Sequence, residues 1–171
     1  ELAGLPDSAL AQAAQTATRK QLEGYVITLD FPSYLAVMMY AENRDLRKAV
    51  YTAYVTRASA DGKKADGSSA AEWDNSPLII EILALRHELA NLLGFDNYAE
   101  RSLASKMADS VDQVTGFLHE LAAKSRPLAE RDLAELKAFA KEQGYDDVHA
   151  WDITWLSEKL REQKYAVSDE A

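Results

Sequence analysis

Residues 76 to 94 read SPLIIEILALRHELANLLG, and this stretch decides the fold class. Ser76 and Pro77 suit the first turn of a helix, where a capping side chain and a missing N–H are both tolerated. Gly94 stands where a glycine commonly ends a helix. Between them, apolar residues recur at helical spacing: Leu78, Ile79, Ile82, Leu85, Leu89, Leu92 and Leu93. The stretch therefore predicts one long helix with an apolar stripe.

The same periodicity predicts a mainly α chain of about six or seven helices. Asn43 is expected to cap the helix that follows it, and Pro127 to kink a long helix because proline removes a backbone donor. That long helix has an apolar stripe formed by Val114, Leu118, Leu121, Leu128 and Phe139. The other predicted helices cover residues 9–22, 33–41, 44–59, 95–108, 111–143 and 151–165.

Residues 24–30 interrupt the helical pattern. Tyr25 to Thr28 are β-branched or aromatic, and Pro32 closes the run, so we expect one or at most two short strands here. No partner strand is evident in the chain. Either an element outside this segment pairs with the strand, or the segment is merely extended.

Because the chain starts without Met and without a signal-peptide pattern, the whole of residues 1–171 is expected to be a single helical part of a longer protein. Within it we distinguish a first helical part with the short strand, residues 1–60, and a second helical part, residues 74–171. A Gly-, Ser- and Lys-rich loop over residues 61–73 separates them and is expected to be mobile.

Composition narrows the classes of partner. Lys and Arg number 19 against 28 Asp and Glu, which gives a net charge of −9. Such a surface repels nucleic acid and anionic lipid, so neither is an expected partner. The chain has no cysteine, which excludes thiolate zinc sites and disulfides and fits a reducing compartment. No apolar run approaches the roughly 20 residues of a membrane helix.

His87 begins the tetrapeptide His-Glu-Leu-Ala, which matches four positions of the zinc-protease motif H-E-x-x-H. The fifth position is Asn91, a poor zinc ligand. His119 begins a second copy, in which the fifth position is Ala123. His149 precedes the last helix and is expected to support its start. We therefore expect no metal ligand and no catalytic residue in this segment, and substrate-binding residues are not assigned.

Two further groups of residues have ordinary structural explanations. The acidic pairs within residues 72–74 and 146–147 are expected to be solvated side chains or helix caps. Trp151 and Trp155 are four residues apart, so one helix face carries both. That face is either core or a surface for a partner domain.

Several phrases are similar to one known family. LDFPSYLAVM (29–38), NRDLRKAVYTAYVTRAS (43–59), WDNSPLIIEILALRHELANLLGFDNYAERSLASKMA (73–108) and WDITWLSEKLREQKY (151–165) resemble the thimet oligopeptidase and oligopeptidase A group of zinc metallopeptidases. The resemblance implies a helical, clam-like enzyme of the cytoplasm that cuts short peptides in a deep channel. It also implies one zinc ion, held in the family by residues C-terminal to the part that matches residues 151–165.

On this resemblance residues 1–171 are a single helical fragment of a larger peptidase. The fragment is scaffold and channel wall, inactive alone and without zinc of its own. It departs from the family pattern at Ala36, where proline is common, and at Trp155 and Leu156, where two tyrosines are common. Whether the last two face the channel or the core is left open. A fragment would expose surfaces that favour self-association. The alternative is a stand-alone, non-catalytic helical module that binds a peptide or protein.

Overall fold

The computed structural model describes residues 1–64 and 67–166, and those residues form seven α-helices, one 3-10 helix and no β-strand. The predicted mainly α fold is confirmed. The α-helices are α1 (Asp7–Arg19), α2 (Phe31–Tyr40), α3 (Arg44–Val55), α4 (Ser76–Leu92), α5 (Tyr98–Leu103), α6 (Val111–Glu142) and α7 (Ala150–Tyr165).

Most helix ends follow the local signals in the sequence. The Asn43 side chain accepts a hydrogen bond from the backbone N–H of Leu46 at 3.0 Å, so its predicted role as the cap of α3 is confirmed. Gly94 and Gly144 follow α4 and α6 with φ of 82° and 83°, a conformation that glycine adopts without steric cost. Pro127 lies inside α6, which continues past it to Glu142.

The strand expected over residues 24–30 is not formed. The N–H of Val26 donates instead to the carbonyl of Ala13 at 3.1 Å, and the N–H of Thr28 donates to the hydroxyl of Ser33 at 3.0 Å. These two donors are satisfied by helix α1 and by the start of α2, so the segment needs no partner strand for them. Helix α1 also ends earlier than predicted, at Arg19, because Gln21 takes a left-handed φ of 57°.

The loop between α3 and α4 contains more local order than its composition suggests. Lys63 and Ser69 form an isolated antiparallel bridge, and a 3-10 helix covers Ala71–Trp73. The predicted mobile loop includes residues 65 and 66, which lie outside the described residues. Its mobility stays a prediction.

The chain divides into two compact units. Unit 1 comprises Glu1–Arg57 and Leu133–Ala171, and unit 2 comprises Ala58–Asp132. Unit 1 contains two buried apolar clusters. One joins Val37, Ala41 and Val50, with Ile27 and Leu29 packed against it. The other consists of Leu136, Phe139, Ala140 and Leu156.

Unit 2 buries far less apolar surface. Helices α4 and α5 pack together, and among the described residues of this unit only Ala70 and Ala90 are buried hydrophobic residues. The apolar stripe predicted for α4 is present, but its side chains are exposed, with Leu92 81% accessible. The predicted division at residues 60 and 73 stays a prediction. No helix in the described part of the chain combines the length and apolarity needed to cross a bilayer.

Candidate functional site

Asp152, in the first turn of α7, accepts hydrogen bonds from three other residues of unit 1. Its side chain is completely buried. Arg44 Nε donates to Oδ1 at 3.0 Å and Arg44 Nη2 donates to Oδ2 at 2.7 Å, a bidentate pair. Arg47 Nη2 donates to Oδ1 at 3.2 Å, and the backbone N–H of His149 donates to Oδ2 at 3.0 Å. Four hydrogen bonds therefore compensate the buried carboxylate.

Arg47 is also completely buried, and its guanidinium binds more than the carboxylate. Its Nη1 donates to the carbonyls of Ala41 at 2.7 Å and Glu42 at 3.1 Å, and its Nη2 donates to the hydroxyl of Tyr145 at 3.0 Å. This one side chain thus connects the turn between α2 and α3 with α7. We refer to Arg44, Arg47, Tyr145 and Asp152 as the Asp152 cluster.

Aromatic rings cover the two arginines of the cluster. The guanidinium of Arg44 lies 4.9 Å from the ring centroid of Tyr145, and that of Arg47 lies 4.8 Å from the ring of Trp155. The two rings lie 5.8 Å apart. Cation–π contacts of this kind help a guanidinium to tolerate burial, because the ring face is negative.

The pKa values of Asp152 and Arg44 are both shifted in the direction that favours the charged form. Burial by itself raises the pKa of Asp152, but the hydrogen bonds from Arg44, from the His149 backbone and from Arg47 outweigh it, and its pKa lies below the ordinary value. The hydrogen bond to Asp152 raises the pKa of Arg44. A carboxylate with a lowered pKa and saturated acceptors is a poor general base, so the cluster has the character of a structural connection.

The histidines of the two His-Glu-Leu-Ala sequences lie on exposed helix positions. His87 Nε2 is 3.1 Å from the side-chain nitrogen of Asn91, the residue that replaces the second histidine of the motif. His119 lies on α6. No group of three or more His, Asp or Glu side chains in the described part of the chain is arranged to hold a metal ion. The expectation that the segment has no metal-binding or catalytic residue stays a prediction.

His149 is the residue immediately before α7. Its backbone N–H donates to the Asp152 carboxylate at 3.0 Å, so the Asp152 side chain caps the start of the helix. The His149 ring stacks on Trp151 with centroids 4.5 Å apart. The expected support for the start of the last helix is therefore found. Both contacts are with residues of the first turn of α7.

The acidic pairs also have local partners. Asp74 accepts hydrogen bonds from the Ser76 hydroxyl at 2.7 Å and from the Ser76 N–H at 3.0 Å, which lower its pKa. Glu72 forms an ion pair with Lys64. The backbone carbonyl of Asp147 accepts from Arg44 at 2.9 Å. These contacts explain Asp74 by turn formation and Glu72 by surface pairing, whereas the contact of Asp147 is made by its backbone.

Trp151, Trp155 and Leu156 belong to the packing of unit 1. Leu156 is completely buried, and Trp155 packs against the cluster that contains it. Trp151 is half-buried and contacts the ring of Tyr51 edge-on at 6.2 Å. In this segment Trp155 and Leu156 therefore face the core.

Sequence reasoning missed the Asp152 cluster. The available signals were the two arginines three residues apart at the start of α3 and the aspartate in the first turn of α7. The hydrogen bonds join positions 105 and 108 residues apart in the sequence. Helical periodicity gives no information about contacts between residues so far apart. Only the packing of α3 against α7 brings the groups together.

Comparison with known proteins agrees with the resemblance. The family model described as Peptidase family M3 matches residues 37–171. Oligopeptidase A of Escherichia coli is 55% identical over 99% of this chain, and Organellar oligopeptidase A of Arabidopsis thaliana is 44% identical over 99%. Saccharolysin of Saccharomyces cerevisiae is 30% identical over 98%.

The chain spans only about a quarter of these relatives: 24%, 21% and 23% of their respective lengths. Within that quarter the match to the bacterial protein is nearly end to end, and the family model covers most of the chain, including the Asp152 cluster. A match of this extent and identity cannot result from helical composition alone. The chain is therefore a member of peptidase family M3.

Proposed function

We propose that this chain is part of a zinc-dependent oligopeptidase that hydrolyses short peptides in a deep channel. The observation that carries the proposal is the 55% identity to Oligopeptidase A of Escherichia coli over almost the whole chain. Within that enzyme the segment acts as scaffold and channel wall and is inactive alone. Short peptides are the proposed partners of the complete enzyme.

The zinc ion of the proposed enzyme does not fit the described residues. A catalytic zinc ion needs about three protein ligands on one side of an open coordination position. His87 has Asn91 at the second motif position, and the described part of the chain contains no group of three candidate ligands. We therefore propose that the zinc ligands lie in parts of the enzyme other than this segment.

The Asp152 cluster supports the assignment as scaffold. The Asp152 carboxylate is paired with two arginines, its acceptors are occupied, and Asp152 and Arg47 are completely buried. A buried residue of this kind positions helices and has no open side toward a substrate. The cluster would hold α3 and α7 in a fixed arrangement from which a channel wall can be built.

A stand-alone module that binds a partner is less well supported. That alternative relied on Trp151 and Trp155 being available on an acidic surface. Both are half-buried and engaged with neighbouring aromatic rings.

We also propose a cytoplasmic location, in keeping with the lack of cysteine. The Arabidopsis relative is named as a chloroplast and mitochondrial protein, so fractionation of the source cells is the test.

Two proteins test the proposed activity. The first is the 171-residue chain alone, and the second is Escherichia coli oligopeptidase A with its matching quarter replaced by this chain. We expect no bound zinc and no cleavage of a quenched peptide by the chain alone. The chimaera should bind zinc and cleave the peptide, and a chelator should abolish the cleavage.

Substitution of the two candidate histidines makes the test more specific. His87→Gln and His119→Gln in the chimaera should leave zinc content and cleavage unchanged, because neither histidine is proposed as a ligand. Chelator-sensitive turnover by the chain alone would refute the inactivity of the segment. Loss of zinc in either histidine variant would refute the assignment of the ligands to other parts of the enzyme.

A further inference from the structure

Helix α4 has an apolar side that covers about half of its circumference, and one further large apolar residue on the other side. At about 100° per residue, Leu78, Ile82 and Leu89 lie on one side of the helix, and Ile79 and Leu83 lie farther round. Ile80 lies roughly opposite to the first three. All six side chains are exposed, and Ile80 is 70% accessible. Polar residues, among them His87 and Glu88, lie on the same side as Ile80. The apolar side of a helix normally packs against other parts of a protein.

The part of α6 in unit 2 has a narrower apolar stripe. Phe117, Leu121 and Leu128 recur at helical spacing and are exposed. On the opposite side of the helix Arg126 and Glu130 form an ion pair at 4.0 Å, and both side chains are well exposed. This helix therefore has one polar side and one apolar side.

The exposed side chains that we call the apolar surface of unit 2 come from both helices. They are Leu78, Ile79, Ile80, Ile82, Leu83, Leu85, Leu89, Phe117, Leu121 and Leu128.

Two features indicate what covers this surface. A twofold contact with a second copy of the chain would bury one side of α4 and leave Ile80 in water. A surrounding polypeptide can contact several sides. The chain spans 24% of the length of Oligopeptidase A of Escherichia coli, so a full-length relative contains about three times as much additional polypeptide.

We propose that the apolar surface of unit 2 is a docking surface for the part of an M3 peptidase polypeptide that this chain does not span. The occupant presents apolar side chains to more than one side of α4. The inference rests on family membership, and it would stand even if the proposed zinc chemistry were wrong. Its test accordingly measures burial and does not measure peptide cleavage.

Single cysteines provide the measurement, because the natural chain has none. Leu83→Cys and Ile80→Cys report on two sides of α4, and Glu130→Cys on the charged side of α6 is the matched control. Each is introduced into the 171-residue chain and into the chimaera with Escherichia coli oligopeptidase A, from which any other cysteine has been removed. The rate of maleimide labelling is measured in folded protein of both lengths.

In the 171-residue chain at high dilution, all three cysteines should label at similar rates. In the chimaera, labelling at positions 83 and 80 should slow at least 100-fold, while position 130 should change less than fivefold. A chimaera in which positions 80 and 83 are protected from maleimide but which does not cleave peptides would contradict the proposed function and would still support the docking surface.

Two outcomes would overturn the docking proposal. The first is equally fast labelling at positions 80, 83 and 130 in a chimaera that is folded by circular dichroism. The second is protection that disappears when the chimaera is diluted from a dimer to a monomer, because the occupant would then be a second copy. Light scattering at the same concentrations distinguishes the dimer from the monomer.

Discussion

At the scale of single residues, the stability of unit 1 depends on two buried opposite charges that must compensate each other. Asp152 and Arg47 are both completely buried and hydrogen-bonded to each other. Ion pairs of this kind add little net stability over an apolar pair of the same shape, but removal of one partner leaves the other charge uncompensated. The two residues are therefore required together.

The first prediction concerns this dependence. Asp152→Asn keeps the size of the side chain but leaves the Arg47 charge buried without a counter-charge. We expect a loss of about 3–5 kcal/mol in the free energy of unfolding, measured by urea denaturation with tryptophan fluorescence. Asp132→Asn is the control, since its ion pair with Arg131 at 3.1 Å is exposed. The control should cost less than about 1 kcal/mol, and equal losses in both variants would contradict the prediction.

The second prediction is the pH dependence of the same group. The pKa of Asp152 in the folded state is lowered, whereas an unfolded aspartate has a pKa of about 3.9. The stabilisation is therefore complete above about pH 3.9 and is lost as the pH falls through the folded pKa, because the unfolded state then binds more protons.

The difference in unfolding free energy between the natural chain and Asp152→Asn isolates this group from the other carboxylates. The difference should be constant from about pH 5 to pH 7 and should shrink below about pH 3.9. Urea denaturation of both proteins at a series of pH values provides the measurement. A difference that grows on acidification would exclude the assigned direction of the pKa.

At the scale of helices, a glycine that follows a helix end and a glycine in a helix interior have opposite effects on stability. Gly94 follows α4 with φ of 82°, and Gly116 lies inside α6. A Cβ added to either one would meet no atom within 4 Å. The two positions thus differ in backbone conformation and not in available space.

The third prediction uses this matched pair. Gly116→Ala should stabilise unit 2 by roughly 0.5–1 kcal/mol, because alanine favours a helix interior over glycine. Gly94→Ala should destabilise it by roughly 1–2 kcal/mol, because an L-residue resists the left-handed conformation. Thermal unfolding followed by circular dichroism measures both. A change of the same sign in the two variants would show that backbone conformation does not control them.

Helix positions were largely predictable, since periodicity and caps are local signals. Asn43, Pro77 and Gly144 mark helix boundaries by properties of their own side chains and backbone. The predicted strand over residues 24–30 was wrong because β-branched residues favour a strand only where a partner strand exists. Here Val26 and Thr28 donate to neighbours in α1 and at the start of α2.

At the scale of the whole molecule, the exposed apolar surface of unit 2 has consequences in solution. Many apolar side chains exposed to water favour contact with any similar surface. The free chain is therefore expected to self-associate at high concentration, whether or not a specific dimer exists. The net charge of −9 opposes this association and is screened by salt.

The fourth prediction identifies the surface responsible. Leu85→Glu should lower the average mass of the 171-residue chain in concentrated solution, because it places a charge in the apolar surface. Leu22→Glu is the control, since Leu22 lies outside that surface and both side chains are 56% exposed. Sedimentation velocity at several concentrations measures the effect. A natural chain that stays monomeric at all concentrations, or equal effects of the two substitutions, would contradict the prediction.

The sequence by itself determined the helices, most of their ends and membership of the M3 family, because periodicity, capping and motif order are written along the chain. Only the tertiary structure decided that Arg44 and Arg47 meet Asp152, that Trp155 and Leu156 face the core, and that the α4 stripe is exposed. The physical reason is that burial and charge compensation depend on which distant elements pack together. A local pattern specifies an apolar face or a charge, but it does not specify what will cover or neutralise it.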